Sequence, residues 1–342
     1  MPSLLFPNNH KFLDLHSINE LPDTHAWTLQ PDEYTISNGE NAPESVPIID
    51  LNDKNAPELI GNACKAWGVF QVLNHDIPNS LLDEIELAAN GLFLLPLHQK
   101  LRAARKPDNF SGYGLARISS FFTKLMWSEG FTIGGSPLEH ARLLWPNNYQ
   151  IFCNTIEEYQ KAMKTLAARL TWLMLGSLGI TKDNLKWAEN GRSALQLNSY
   201  PACPDPTRAM GLAPHTDSTI LTVLHQSSNI SGLQVLREGS SRWIMVPPHR
   251  GALVVHVGDL LHIMSNGLYP SVMHRAVVNR TRQRLSVAYL YGPPLGFKIG
   301  PLAKMVDENR PPMYRSVTWS EYLRKKGKHF NMALTSVRVC KQ

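Results

Sequence analysis

The spacing of apolar residues changes about halfway along the chain, from a helical period to short strand-like runs. Residues 1–45 carry no sustained period and are rich in Pro, Asn and Asp, which predicts an irregular lead-in with a short helix near 17–21. The run 46–51 is a short apolar strand. Residues 57–67 then show helical spacing, with Leu59, Ile60, Ala63 and Trp67 on one side, closed by Gly68. Residues 69–73 are β-like. Pro78 opens a second helix whose apolar stripe is Leu81, Leu82, Ile85, Ala88, Ala89 and Leu92, and 97–104 is a further short helix after Pro96.

Residues 105–147 mix Gly and Pro with Tyr113, Phe121, Phe122, Met126, Trp127 and Trp145, and read as a long functional loop with little regular structure. The longest helix spans 149–179, where Ile156, Tyr159, Met163, Leu166, Leu170 and Leu173 form a core-facing stripe and Gly179 marks the end. From about 194 short runs of β character follow, at 194–200, 219–225, 233–237, 243–246, 252–257, 274–278 and 285–291. Many short strands at such spacing predict a barrel or a two-sheet jelly roll. The tail, 318–334, is helical. No linker divides the halves: the early strands are expected to join the same sheet, with the long helix packed outside it.

Composition narrows the classes. With 342 residues, 43% hydrophobic and 18% charged, the chain is ordinary for a globular protein and can bury a substantial core. The net charge of +6 is dispersed, and its densest run, 324–328, accompanies no nucleic-acid-binding module, so no nucleic-acid partner is expected. Cys64, Cys153, Cys203 and Cys340 are far apart, which suits free thiols in a reducing compartment better than a zinc knuckle or a disulfide framework. No secretory leader and no stretch of about 18 apolar residues is visible, so a cytoplasmic protein away from the membrane is expected, taken as a monomer.

The chemistry centres on His215-Thr-Asp217. On a strand, residues two apart share one face. With His274 they supply two imidazoles and one carboxylate, the set that leaves open positions on a non-haem Fe(II). A His-x-Asp alone is common, and the surroundings have to support it. Arg284-Leu-Ser286 is another pair two apart, at the start of an apolar strand. Alone it is an ordinary strand end with a solvated arginine. Facing inward, the arginine would be a buried charge with no acid near it in sequence, suited to a ligand carboxylate, with Ser286 adding a hydroxyl.

These residues, with Asn198-Ser-Tyr200-Pro-Ala-Cys-Pro, Pro47-Ile-Ile-Asp-Leu51, the stretch 66–75 and Leu253-Val-Val-His-Val-Gly-Asp-Leu260, resemble the plant 2-oxoglutarate- and Fe(II)-dependent dioxygenases over nearly the whole chain. The stretches 20–27, 111–122, 126–133, 135–138, 208–213 and 316–323 resemble the gibberellin 3-oxidases among them. The resemblance implies a mainly β fold with α: a distorted double-stranded β-helix, or jelly roll, with packed outer helices including one long one. It implies 1–45 as lead-in and 46–342 as one domain, made of a helix-rich part (46–190), the core with the iron site (194–292) and a helical tail (293–342).

The implied function is hydroxylation of C19 gibberellins at carbon 3 (3β) to bioactive hormone, consuming 2-oxoglutarate and O2, releasing succinate and CO2, and using ascorbate as reductant. Oxidation at carbon 2, 1 or 7, or a catalytically silent gibberellin-binding protein, are the alternatives. His215, Asp217 and His274 are the implied iron ligands, and Arg284 and Ser286, helped by Tyr200 and Asn198, hold 2-oxoglutarate. Since ligation needs neutral imidazoles, activity is expected to fall at acid pH. For the substrate, Tyr113, Phe122 and Trp127 of the aromatic stretch are candidates, with Gln196 on the strand face of Asn198 and Arg117 as partner of the gibberellin carboxylate. Pro214, His225 and His256 depart from the family pattern.

Overall fold

The strands alternate in character residue by residue, and that alternation builds two main sheets with different neighbours, beside a two-residue ladder between 298–299 and 317–318. The computed structural model describes residues 13–28, 44–107, 109–181, 191–227 and 230–339. In chain order these form β1 (Ile48–Asp50), α1 (Ala56–Trp67), β2 (Val69–Leu73), α2 (Asn79–Phe93), α3 (Leu97–Lys100), β3 (Gly112–Gly114), β4 (Glu129–Ile133), α4 (Leu138–Leu144) and α5 (Tyr149–Ser177). The second half contributes β5 (Arg192–Tyr200), β6 (Leu212–His215), β7 (Leu221–Gln226), β8 (Leu233–Leu236), β9 (Trp243–Val246), β10 (Leu253–Val257), α6 (Asp259–Met264), β11 (Met273–Ala276), β12 (Arg284–Gly292) and α7 (Trp319–His329).

The larger sheet has the order β1-β2-β10-β7-β12-β5-β4-β3 and the smaller β6-β11-β8-β9. In β12, Leu285, Val287, Tyr289 and Tyr291 face the helices and join a core with Ile156, Tyr159, Met163, Leu166 and Leu170 of α5 and Leu82 and Ile85 of α2. The alternate residues of β5, β10 and β12 face the other way. There Val69, Leu224 and Val254 of the larger sheet pack on Leu233, Val235 and Val246 of the smaller one. Helices therefore cover the outer face and the small sheet covers the inner, the jelly-roll arrangement expected.

Gly68 ends α1 in a left-handed conformation (φ 65°). A Cβ there would run into the carbonyl of Pro270, so the glycine also fixes how closely the two segments approach. The buried stripe of α1 is Ala56, Ile60, Ala63 and Cys64, while Leu59 lies outside at 41% exposure, against the expected stripe.

Two other expectations are corrected. Residues 17–21 form no helix; Leu15, Ile18 and Leu21 lie irregularly on Trp127 and Cys203, and the nearest turn of helix is a 3-10 turn at Asp23–His25. Residues 105–147 are no long loop: they hold β3, β4, α4 and a 3-10 turn at Arg117–Phe121. Glycines and an acid weaken the strand signal there, and the pairing of β4 with β5, from Glu129 opposite Ser199 to Ile133 opposite Leu195, overrides it. The short elements β6 and α6 had no separate signal.

Glu129 is 5% exposed and is held by the ammonium of Lys100, the Tyr113 hydroxyl at 2.5 Å and His16 Nε2 at 3.2 Å. Replacing Lys100 with Met leaves a buried carboxylate without its cation, and stability should fall by about 3–5 kcal/mol, read as a lower thermal midpoint. Burial raises the pKa of Glu129, but the bonds from His16, Lys100 and Tyr113 outweigh it and hold the group below its ordinary 4.5. A depressed folded-state pKa stabilises above the unfolded value and is lost as pH falls below it. Thermal midpoints should therefore drop on acidification below about pH 5, less steeply in Glu129→Gln.

Candidate metal centre and co-substrate pocket

His215 closes β6 and His274 lies directly opposite it on β11, their ring centroids 4.2 Å apart. Asp217 lies beyond the end of the strand, so the turn at 216–219 brings it to the imidazoles, where simple alternation was expected to. Its Oδ1 is 3.7 Å from His215 Nε2 and 3.8 Å from His274 Nε2. Those distances are too long for hydrogen bonds, and they suit three ligands around one ion. One ligand atom from each residue lies within 4.8 Å of the others.

The rings are oriented from behind. His215 Nδ1 donates to the Ala213 carbonyl at 2.8 Å and His274 Nδ1 to that of Val272 at 3.2 Å. A carbonyl only accepts, so Nδ1 carries the proton and the Nε2 lone pair faces Asp217. Burial, reinforced by His274, pushes His215 down to about 4, which keeps it neutral near pH 7. Burial works against the charge of Asp217, but the imidazoles of His274, His215 and His256 prevail and hold it at about 2. Two imidazole nitrogens and a carboxylate are a donor set that fits Fe(II).

The turn that carries Asp217 is braced by α7. Trp319 Nε1 donates to the Ser218 carbonyl at 2.6 Å, and Lys326 Nζ donates to Thr216 Oγ1 at 2.6 Å and Asp259 Oδ2 at 2.8 Å. Tyr322 donates to that same oxygen at 2.7 Å, and the backbone N–H of Asp259 donates to the carbonyl of Asp217 at 2.7 Å. Sequence reasoning missed this brace because Lys326 sits in a basic run that looks solvated. Trp319, Tyr322 and Lys326 share one helix face by their spacing, and that signal was available.

On the inner face of the larger sheet, Arg284 stands opposite Tyr200 and Ser286 opposite Asn198. Arg284 is 2% exposed, its guanidinium 5.2 Å from the Tyr200 ring centroid. Nη2 donates to Gln226 Oε1 at 2.8 Å, Nε has no acceptor, and no carboxylate pairs with it among the described residues. A fully buried cation with donors to spare fits an anionic ligand. Gln226, opposite Ser286 on β7, belongs to this pocket and was missed.

The substrate candidates separate. Gln196 lies on the same inner face, donating to Asn198 Oδ1 at 3.0 Å. Phe122 packs with Trp27, Met126 and Met210 in a cluster that includes Ala213, two residues before His215. Arg117 is exposed. Tyr113 and Trp127 are not brought to the site. Tyr113 stands opposite Phe131 on the helix-facing side, its hydroxyl on Glu129. Trp127 is fully buried in a separate cluster with Leu15, Cys203 and Ala209, its indole N–H donating to the Pro201 carbonyl at 3.1 Å. Both are core residues, since sequence position near the mouth does not reveal which face a side chain takes.

Pro214 lies on β6, an edge strand, where a missing N–H is tolerated. His225 faces the helices, 3.5 Å from Glu86. His256 is buried against His274, ring centroids 4.4 Å apart, with neither ring nitrogen hydrogen-bonded.

Comparisons with known proteins agree with this geometry. Residues 191–293 match the 2OG-Fe(II) oxygenase superfamily model, and residues 46–150 match that of the non-haem dioxygenase in morphine synthesis N-terminal region. Gibberellin 3-beta-dioxygenase 1 of Pisum sativum is 61% identical, over 97% of this chain and 91% of the relative's. The Arabidopsis thaliana protein of the same name is 51% identical, over 97% and 94%. Among solved structures, JOX2 in complex with 2OG, Fe and JA superposes with a TM-score of 0.82 at 29% identity, covering 95% of each chain. A rice dioxygenase for auxin oxidation gives a TM-score of 0.73 at 26% identity, covering 86% of this chain and 100% of that one. No helix among the described residues is long and apolar enough to cross a membrane. The chain belongs to the 2OG-Fe(II) oxygenase superfamily and, within it, to the gibberellin 3-beta-dioxygenases.

Proposed function

We propose that this protein hydroxylates C19 gibberellins at carbon 3, on the β face, with 2-oxoglutarate and O2 as co-substrates. The observation that carries the reading is a pair of sites on the two facing sheets: two imidazoles and a carboxylate within 4.8 Å at the smaller sheet, and on the inner face of the larger an arginine buried without an acid partner among the described residues. The name of the pea relative supports carbon 3.

His215, Asp217 and His274 would hold the iron, and Arg284 with Ser286 the distal carboxylate of the 2-oxo acid, flanked by Tyr200, Asn198 and Gln226. When bound, Fe(II) supplies the oxidising chemistry: one oxygen atom of O2 ends in succinate, formed with loss of CO2, and the other in the new hydroxyl. The rest is positioning. The carbonyls of Ala213 and Val272 keep each Nε2 available as a donor. The Arg284 guanidinium fixes the co-substrate's far end in a buried pocket, where a charge-assisted bond is strong. The inner face around Gln196, together with the apolar cluster that holds Phe122, receives the hydrocarbon skeleton and keeps water from the reacting carbon. We take residues 46–342 to act as one domain in a cytoplasmic monomer, which the buried free thiols Cys64, Cys153 and Cys203 suit.

Incubation with Fe(II), ascorbate, 2-oxoglutarate and a panel of C19 gibberellins, followed by mass spectrometry and product identification, should give oxygen at carbon 3. Products oxidised only elsewhere would sink the reading. His215→Ala and Asp217→Ala should abolish turnover, and full activity in Asp217→Ala would refute the ligand assignment. Arg284→Met should weaken 2-oxoglutarate binding by about 30-fold or more, the range for removing one partner from a buried charge contact. Lys326→Met, which touches neither ligand, should lower Co(II) affinity by about 10–100-fold by loosening the turn that carries Asp217.

A further inference from the structure

Arg105 follows the 3-10 turn Leu101–Ala103 and is pinned by its backbone, whose N–H donates to the Tyr113 carbonyl at 2.8 Å. Gly112 makes this approach possible: it sits at φ +118°, and a Cβ there would lie 2.7 Å from the Ala103 carbonyl oxygen and 2.9 Å from Arg105 N. The guanidinium is thereby laid against the inner side of β3 and β4. Nη1 donates to the Leu115 carbonyl and Nη2 to Thr132 Oγ1, both at 3.2 Å, while the buried Nε has no acceptor.

A second cation, Arg117, lies close enough that its charge and, more strongly, burial lower the pKa of Arg105 to about 10. Among the described residues no carboxylate pairs with either arginine. Two neighbouring guanidiniums without an acid are electrostatically unfavourable and call for an anion.

The position of Arg105 says which anion. Thr132 Oγ1 donates to Gln196 Oε1 at 2.5 Å, Gln196 Nε2 donates to Asn198 Oδ1 at 3.0 Å, and Asn198 Nδ2 reaches Ser286 Oγ at 3.5 Å. This row runs along the inner face from Arg105 to the co-substrate pocket, across β4, β5 and β12. At about 4.8 Å per strand, β4 and β12 are roughly 10 Å apart. The 2-oxo acid is held at the β12 end by Arg284. The Arg105 end is therefore free to take a different carboxylate, on a rigid molecule lying between the two.

We propose that Arg105, with Arg117 at the rim, binds the carboxylate of the gibberellin substrate and so sets which carbon faces the metal. The inference rests on the function proposed above. Arg105 is the anchor, because it is half-buried and tied to the inner row, whereas Arg117 is exposed and adds charge at the entrance.

The test compares a C19 gibberellin with its carboxyl methyl ester, which keeps the shape and removes the charge. The wild type should favour the acid. Arg105→Met should lower the acid-to-ester ratio of kcat/KM by about 10–100-fold, the worth of a lost charge-assisted contact, chiefly through KM. Its affinity for 2-oxoglutarate should stay within about twofold of wild type, because Arg284 is untouched. Arg105→Lys should retain part of the preference, and Arg117→Met, at an exposed site that tolerates change, should lower it less than Arg105→Met. A wild type that binds acid and ester equally, or an unchanged ratio in Arg105→Met, overturns the inference. Equal losses for acid, ester and 2-oxoglutarate in Arg105→Met, with Arg117→Met unchanged, would mark Arg105 as structural and also overturn it. Oxidation at a carbon other than 3 with the acid preference intact would count against the proposed function alone.

Discussion

Every side chain assigned to the co-substrate pocket is placed by the two-residue repeat of a β-strand. In β12 the repeat sends Leu285, Val287, Tyr289 and Tyr291 toward the helices and leaves Arg284 and Ser286 on the inner face. Neighbouring strands carry the same phase, so Asn198, Ser286 and Gln226 stand in one row across β5, β12 and β7. Slippage by one residue would drive a guanidinium into the helix-packed core and turn a tyrosine toward the pocket. The large apolar residues on the outer face therefore fix the register that the polar residues on the inner face use. Packing and chemistry are read from the same strands.

Lys100 and Arg284, both buried, and the partly buried Lys326 show what that arrangement does with charge. Lys100 is matched by Glu129 and Lys326 by Asp259. Each is a closed pair that ties one element to another. Among the described residues Arg284 is met by the amide of Gln226 and by Tyr200, and by no carboxylate. A neutral amide and an aromatic face orient a guanidinium without neutralising it. The paired lysines are closed, whereas Arg284 keeps a buried Nε without an acceptor among the described residues.

Much of this was legible in the chain. The short strands after residue 194 and the long helix follow from periodicity, and the His-Asp-His set from the family resemblance, since donor chemistry alone left it a common pattern. Arg284 alone was ambiguous, because spacing two apart fits a solvated strand end as well as an inner face; the alternation from Leu285 to Tyr291 was the better guide. β3 and β4 were hidden by Gly112, Gly114, Gly130 and Glu129, residues whose strand conformation comes from the pairing of β3 with β4 and of β4 with β5. Tyr113 and Trp127 misled for a related reason: an aromatic in a Gly-rich stretch has no period from which to read its face. Lys326 was obscured by the lysines and arginine around it.

The brace from α7 has a consequence in time. Thr216 and Lys326 are 110 residues apart. Synthesis runs from the N-terminus, so His215, Asp217 and His274 all exist before the helix that steadies the turn between them. At about 5–20 residues per second, the stretch from His274 to Lys326 takes roughly 3–10 s to make. Through that interval a nascent chain has its three donors but no Lys326 to hold Thr216. The brace on the candidate metal centre is thus completed only after all three of its donors have been made, by a residue that arrives 110 positions after the one it holds.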